Sequence, residues 1–256
     1  ILSVDFPDAI GELEAALGAL SIPIEEIIGS GGGETKGTQR LRRALAELGW
    51  HKVNFTIEKR INGVQRESIS HEVDHVRTFA DGRVIALEIE WNNKDPFFDR
   101  DLENFKRLHA EGAISVGVIV TRGSSLQDDM VQLVRRFATE RGLESSDDLG
   151  SLGLTPTPRQ KADVARRMRA GGATFADAWS LSFVKDKYGA ATTHWRKLED
   201  RVHRGVGNPC PLLLIGLPSS IVTFDEHLDV GAIAEGEEEQ EILAEPIQPL
   251  PPPAQP

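Results

Sequence analysis

Asp74, Glu88 and Glu90 are the residues whose types and spacing best support chemistry. Glu88 and Glu90 lie in the run Val84-Ile85-Ala86-Leu87-Glu88-Ile89-Glu90-Trp91, which reads as a buried β-strand. Side chains alternate along a strand, so Val84, Ala86, Glu88 and Glu90 share one face and Ile85, Leu87, Ile89 and Trp91 the other. Two acids in an aliphatic run are costly to bury unless their charge is offset. A divalent cation is the usual partner of such a pair. The preceding segment, Ser70 to Phe79, leads into Ala80-Asp81-Gly82 and Arg83. If those three residues form a hairpin loop with Gly82 left-handed, Phe79 pairs with Arg83. Counting back places Asp74 across from Glu88 on the same face, with Cβ atoms about 5 Å apart. The three carboxylates would then converge. An exposed edge hairpin with solvated acids is the competing explanation; the wholly apolar opposite face argues against it.

The surrounding pattern supplies elements to hold such a site. Residues 8–20 read as an amphipathic helix capped by Asp8. A glycine-rich loop, Gly29 to Thr38, opens a second helix over 38–48, with Leu41, Ala44, Leu45 and Leu48 inward and Arg40, Arg42 and Arg43 outward. The loop lacks the Gly-Lys-Ser/Thr ending of a phosphate-binding P-loop, which excludes a nucleoside triphosphate site of that kind. Arg40 and Arg43 are candidate phosphate contacts; a solvated helix face is the alternative. From His51 the period changes to two, and Asn62-Gly63 marks a hairpin turn. Asp95-Pro96 reads as a helix start whose helix buries Phe98, Leu102, Phe105 and Leu108. The run from Ile114 to Thr121 is continuous and apolar, as in a buried parallel strand. The order is helix, three antiparallel strands, crossover helix, strand.

Bulk properties narrow the class. The chain has 256 residues, 39% of them apolar, enough for a substantial core. No apolar run approaches the roughly 18 residues of a membrane span, and no signal-peptide pattern opens the chain. The single cysteine, Cys210, excludes an internal disulfide framework and a cysteine zinc site, and fits a cytoplasmic protein. The net charge of −11 is unevenly spread: residues 225–256 hold nine acids and no Lys or Arg, leaving 31 acids against 29 bases in residues 1–224. A basic face on the body is therefore compatible with the acidic total.

The element order, with Asp74 on the second strand and Glu88-Ile89-Glu90 on the third, resembles the PD-(D/E)xK nuclease superfamily. That fold is α/β, an αβββαβ mixed sheet flanked by helices with a metal site at one end of its sheet. More closely, the sequence is similar to type II restriction endonucleases of the BglII and BamHI branch, in which the usual Lys of the motif is replaced. Glu90 stands at that position here, and Val73 rather than Pro precedes Asp74. By motif and order the resemblance covers roughly residues 29–121. It implies that Asp74, Glu88, Glu90 and the backbone carbonyl of Ile89 hold Mg²⁺, with Mn²⁺ able to substitute. It also implies Glu90 as proton acceptor for the attacking water or holder of a second metal, with Glu34 as an additional acid and Lys94 as a stand-in for the missing lysine. Double-stranded DNA is the implied substrate, cut at a short palindrome by a homodimer, with a cognate DNA methyltransferase as partner in a restriction-modification system. A repair nuclease of the same superfamily and a non-cleaving DNA-binding protein are the alternatives.

The organisation expected is an N-terminal helical segment over 1–28, a nuclease core over 29–142, and C-terminal helices plus a strand over 143–230. Residues 231–256, acidic and Pro-rich, are expected to be a disordered tail. Within 143–230, a loop over 142–158 precedes helices over 159–169 and 175–187. Thr192 or Thr193 is then positioned to cap a helix whose first turn presents His194, Arg196 and Lys197. Helix N-termini favour phosphate and Arg can grip guanine, so Thr193, His194, Arg196 and Lys197 are candidate DNA contacts. An ordinary basic surface helix is the alternative. Residues 211–217 read as a further buried strand.

Overall fold

The central strands owe their places to their letters. Val116–Arg122, buried at every position, lies mid-sheet, while the more polar strand His51–Ile61 takes an edge. A computed structural model describes residues 2–29, 35–225 and 227–233. In chain order it contains α1 (Leu2–Asp5), α2 (Pro7–Gly18), β1 (Ile22–Pro23), α3 (Ile24–Gly29) and α4 (Lys36–Glu47). Next come β2 (His51–Ile61), β3 (Val64–Thr78), β4 (Val84–Glu90), α5 (Phe97–Ala110), β5 (Val116–Arg122) and α6 (Ser124–Glu140). The chain continues with α7 (Ser146–Ser151), α8 (Pro158–Gly171), α9 (Phe175–Lys187), α10 (Trp195–His203), β6 (Leu212–Leu217) and β7 (Val222–Thr223).

Five strands form one mixed sheet in the order β2-β3-β4-β5-β6, antiparallel from β2 to β4 and parallel from β4 to β6. Its faces bury two apolar clusters. Val84 and Ala86 pack with Phe98, Leu102 and Phe105 of α5 and Leu198 of α10. Ile85, Leu87 and Trp91 pack on the opposite face with residues of α2, α4, α6 and α9. The period-two alternation expected for β4 is therefore present, each aliphatic side chain contributing about 1.5–3 kcal/mol by burial. Where α5 crosses β5 the approach is so close that a Cβ on Gly117 would collide with the Phe105 ring.

The β3–β4 hairpin has the expected register: the Phe79 amide donates to the Arg83 carbonyl at 2.9 Å, and Gly82 is left-handed at φ +81°. Asn62 and Gly63 both have positive φ, as a tight two-residue hairpin turn requires.

Local corrections concern helix ends. The N-cap of α2 is Phe6, without a side-chain bond, and Pro7 begins the helix, leaving Asp8 inside the first turn. Pro96, not Asp95, is the N-cap of α5, and the Asp95 carboxylate instead meets Lys197 at 3.2 Å. The second helix starts at Lys36 because Thr35 caps it, accepting from the Thr38 amide at 3.3 Å. The segment expected as loop over 142–158 contains α7, secured by a capping box of Ser145 and Asp148. His194 rather than Thr192 or Thr193 is the N-cap of α10, and its side chain makes no capping bond. The short pieces α1, α3, β1 and β7 have too few residues to show a periodicity. The tail expected to be disordered lies, from 234 on, outside the described residues.

Candidate active site

Glu88 and Glu90 are built into the C-terminal half of β4 and are nearly inaccessible, at 5% and 2% exposure. Their face looks onto α5, which contributes a third buried carboxylate, Asp101, at 1%. Each acid bears the mark of that environment. Burial raises Glu88 well above the usual carboxylate range, with the charges of Asp101 and Asp74 adding to it. Glu90 is pushed up to about 9, by burial first and then by Asp101. Burial also raises Asp101.

Compensation is partial. Asn93 donates its side-chain amide to Glu90 Oε2 at 2.8 Å, and Arg100 lies 3.5 Å from Glu90 Oε1. Arg100 also donates to Asp101 Oδ1 at 2.8 Å, and the Asp101 and Glu90 carboxyl groups are hydrogen-bonded to each other, which requires a proton on one of them. Asp101 was not expected as a site residue, yet its position carries a signal. It interrupts the buried stripe Phe98, Leu102, Phe105, Leu108, a place where an acid needs a reason. Nothing in the local sequence marks Asn93.

Asp74 departs from expectation. The β3–β4 ladder ends at His75–Leu87, one pair short of Asp74–Glu88. Toward β2, His51 pairs with Val76 but Val53 with Val73, so β3 carries an extra residue there. Val73 and Val76 both enter the α5-side cluster, and alternation breaks between them. Asp74 sits in that break, half-exposed, with its carboxylate 3.2 Å from Lys52, which also binds Glu72 at 2.9 Å. Its charge still reaches Glu88. Consequently, among the described residues no three His, Cys, Asp or Glu side chains are gathered as a metal-holding group. The register expected to set Asp74 across from Glu88 holds as far as His75–Leu87, and the Asp74 charge acts on both Glu88 and Asp101.

The donor chemistry nonetheless suits a hard divalent cation. Buried carboxylates with raised pKa values, two of them close enough to share a proton, form a site short of positive charge. Mg²⁺ commonly takes only one or two protein carboxylates, completing its shell with water and substrate phosphate. Glu88 and Glu90, flanking the Ile89 backbone, meet that smaller requirement.

The other candidates are scattered. Glu34 lies outside the described residues. Lys94 is exposed beyond the end of β4, where its backbone bridges Thr192. Arg40 is spent internally: it holds both Glu26 oxygens, at 2.7 and 2.9 Å, and the Ser21 carbonyl at 2.7 Å. Arg43 donates to Gln39 at 3.2 Å. Thr193 is fully buried, correcting its reading as a surface contact. Its hydroxyl accepts from the Asn93 amide N–H at 3.0 Å and its own N–H donates to the Asn93 carbonyl at 2.8 Å. His194 is buried too, its pKa lowered to about 4 by burial and then by Arg122. Arg196 and Lys197 are more accessible, ion-paired with Asp128 at 2.7 Å and Asp95 at 3.2 Å.

The segment after β4 is clasped from below by Arg122, a fully buried guanidinium. It donates to the carbonyls of Trp91 (2.8 Å) and Thr193 (2.7 Å) and to the Thr192 hydroxyl (2.7 Å). This clasp joins the end of β4 to the approach to α10, and Arg201 ties α10 to Asp99 on α5 at 2.8 Å. The carboxylate site and the basic first turn of α10 are thus joined by one network of hydrogen bonds and ion pairs.

The family model for restriction endonuclease BglII/BglIII matches residues 1–217. Among curated proteins none matches the chain. The five-stranded mixed sheet with flanking helices agrees with the match, and the matched span includes every residue of the carboxylate site. The chain therefore belongs to the BglII/BglIII family of restriction endonucleases, type II nucleases that cut DNA at specific sites.

Proposed function

We propose that this protein hydrolyses phosphodiester bonds in double-stranded DNA at a short palindromic site, using Mg²⁺ or, in its place, Mn²⁺, and leaves 5′-phosphate and 3′-hydroxyl ends. The observation that carries this is the burial of Glu88 and Glu90 beside Asp101 with too little positive charge around them. Such an arrangement is unfavourable in isolation and becomes favourable with a divalent cation and a phosphate nearby. Glu88, Glu90 and the Ile89 carbonyl are the groups to hold the cation, and Asp74 joins them once released from Lys52.

When bound, the cation supplies Lewis-acid polarisation of the scissile phosphate and acidifies the attacking water. Glu90 then takes the proton of that water, a task a lysine at this position could not perform while charged. Asn93 fixes the rotamer of Glu90 through its amide, and Arg100 balances charge between Glu90 and Asp101. Lys94, just past the strand end, stabilises charge on the phosphate. Arg196 and Lys197 exchange their carboxylate partners for DNA phosphates, since exposed ion pairs are worth little. Two copies related by a twofold axis match the symmetry of a palindrome, so the working form is a homodimer. A cognate methyltransferase protects the host DNA in the cytoplasm.

The test is digestion of a long, sequenced, unmethylated DNA with Mg²⁺ or with EDTA, alongside Glu88→Ala and Glu90→Ala. Discrete bands that require Mg²⁺ and vanish in both variants are the expected result. A smear in place of bands points to a repair-type nuclease, and intact DNA that still shifts on a gel points to a non-cleaving binding protein.

A further inference from the structure

The β2–β3 hairpin is much longer than the sheet it joins. Only the base of β3 pairs with β4, the ladder covering His75 to Thr78. The pairing of β2 with β3 continues to Ile61–Val64. Val53, Phe55 and Val73 are buried in the α5-side cluster, and Ile57 packs partly against it. Beyond the half-buried pair Ile57–Ile69, every residue from Glu58 to Ser68 is exposed on both faces. At about 3.3 Å per residue, the turn stands roughly 20 Å past that pair. A free two-stranded ribbon is marginal in water, so an exposed one of this length calls for a partner.

The composition of the tip says which partner. Lys59-Arg60-Ile61-Asn62-Gly63-Val64-Gln65-Arg66 carries three cations and no acid, in a chain whose net charge is −11. Among the described residues its only charged contact of short range is the exposed pair of Arg60 with Glu58 at 3.0 Å, which is weak and readily exchanged. Glu67, paired in register with Lys59, is the next acid along the strand. Asn62 and Gln65 bring amides suited to adenine edges, and the arginines suit guanine or phosphate. Ile61 and Val64, opposite each other and 49% and 54% exposed, form an apolar wedge of the kind that enters a groove.

Direction matters as much as chemistry. β3 is antiparallel to β4, so the ribbon leaves the sheet at the end where Glu88 and Glu90 lie. From Asp74 to Val64 is about 30 Å, close to one helical turn of duplex. We infer that the β2–β3 ribbon tip is a DNA-reading arm that enters a groove about one turn from the cut phosphate. This rests on the reading of the protein as a duplex-cleaving nuclease and adds a specificity element to it.

The test uses the full chain carrying Glu88→Ala, which stops cleavage, and measures duplex binding by fluorescence anisotropy in Mg²⁺ across a salt series. Arg60→Ala with Arg66→Ala should weaken binding at least tenfold and flatten the log K against log salt slope by about two. Asn62→Ala with Gln65→Ala should leave the slope unchanged. It should also erode discrimination between the cut sequence and one-base variants by about tenfold or more. Arg60, Gln65 and Arg66 are exposed strand positions, so the arginine variant should not move thermal unfolding. Asn62 is left-handed at φ +52°, so its variant should melt slightly earlier. Unchanged affinity and slope in the arginine variant, while the parent chain binds and the wild type cuts, would overturn the arm and leave the nuclease intact. A parent chain that binds no duplex would overturn the nuclease reading itself, and the arm with it. If Ile61→Ser with Val64→Ser halves the mass in sedimentation equilibrium, the tip is instead a contact between copies, and the inference fails.

Discussion

Asn93 reaches back to Glu90, donating its side-chain amide to Oε2 across 2.8 Å, while its own backbone is held on both sides by Thr193. A residue three positions past the strand thus fixes the rotamer of the candidate proton acceptor. A threonine a hundred positions later fixes that residue. Thr193→Val removes the accepting hydroxyl and should cost about 0.5–1.5 kcal/mol of stability, the net worth of one part-buried hydrogen bond. Cleavage should fall further in Asn93→Ala than in Thr193→Val. Melting temperature and initial cleavage rate, measured together, separate the two effects.

The carboxylates give a pH dependence with a definite sign. Glu90 sits at about 9 in the folded, metal-free chain, whereas an unfolded Glu ionises near ~4.3. The folded state keeps a proton that the unfolded state gives up, so stability declines as pH rises between those values. Glu88 and Asp101, also raised by burial, act in the same direction. Asp148 and Asp177 are lowered by hydrogen bonds at their helix caps and act oppositely in acid, setting a lower bound to the favourable range. In EDTA the melting temperature should drop by several degrees from pH 5.5 to pH 8.5, at about 2–4 °C per kcal/mol for a chain of this size. Mg²⁺ should restore more at the higher pH. A flat profile in EDTA would contradict the buried, uncompensated acids.

Asp101 provides a second handle on the same cluster. Asp101→Asn removes its charge while keeping its shape, which should lower Glu88 and Glu90 part of the way, burial remaining the larger cause. The EDTA profile should become shallower and metal-free stability at pH 8 should rise. Cleavage should fall if the Asp101 carboxylate serves the cation. Equal stability and equal cleavage would make Asp101 a bystander.

Arg122 holds the clasp between β4 and α10 from a fully buried position, with its pKa lowered to about 10 by burial. Arg122→Leu leaves the carbonyls of Trp91 and Thr193 without their donor, and should cost on the order of 3 kcal/mol. Chemical denaturation reads this directly. Loss of cleavage under conditions where the variant is still folded would show that the clasp also aligns Glu90.

Gly117 offers a control away from the chemistry. Gly117→Ala pushes a methyl group into Phe105 and should destabilise by about 1–3 kcal/mol through overpacking. Cleavage by the fraction still folded should match the wild type.

Much of this protein is legible in its letters because the relevant forces are local. Period-two alternation placed Ile85 and Leu87 on one face and Glu88 and Glu90 on the other. Asn62-Gly63 and Asp81-Gly82 fixed two turns through the conformational freedom of glycine. The continuous apolar letters of Val116–Arg122 announced a central strand. Tertiary structure decided what depended on partners distant in sequence. An extra residue in β3, set by its pairing with β2, put the Asp74 carboxylate 3.2 Å from Lys52. The packing of α5 onto β4 brought Asp101 to the two glutamates, and the buried guanidinium of Arg122 drew Thr193 inward to hold Asn93. Alternation is a property of one strand and can be counted. Where a side chain lands after a register shift depends on which neighbour competes best for it, and that competition exists only once the chain is folded.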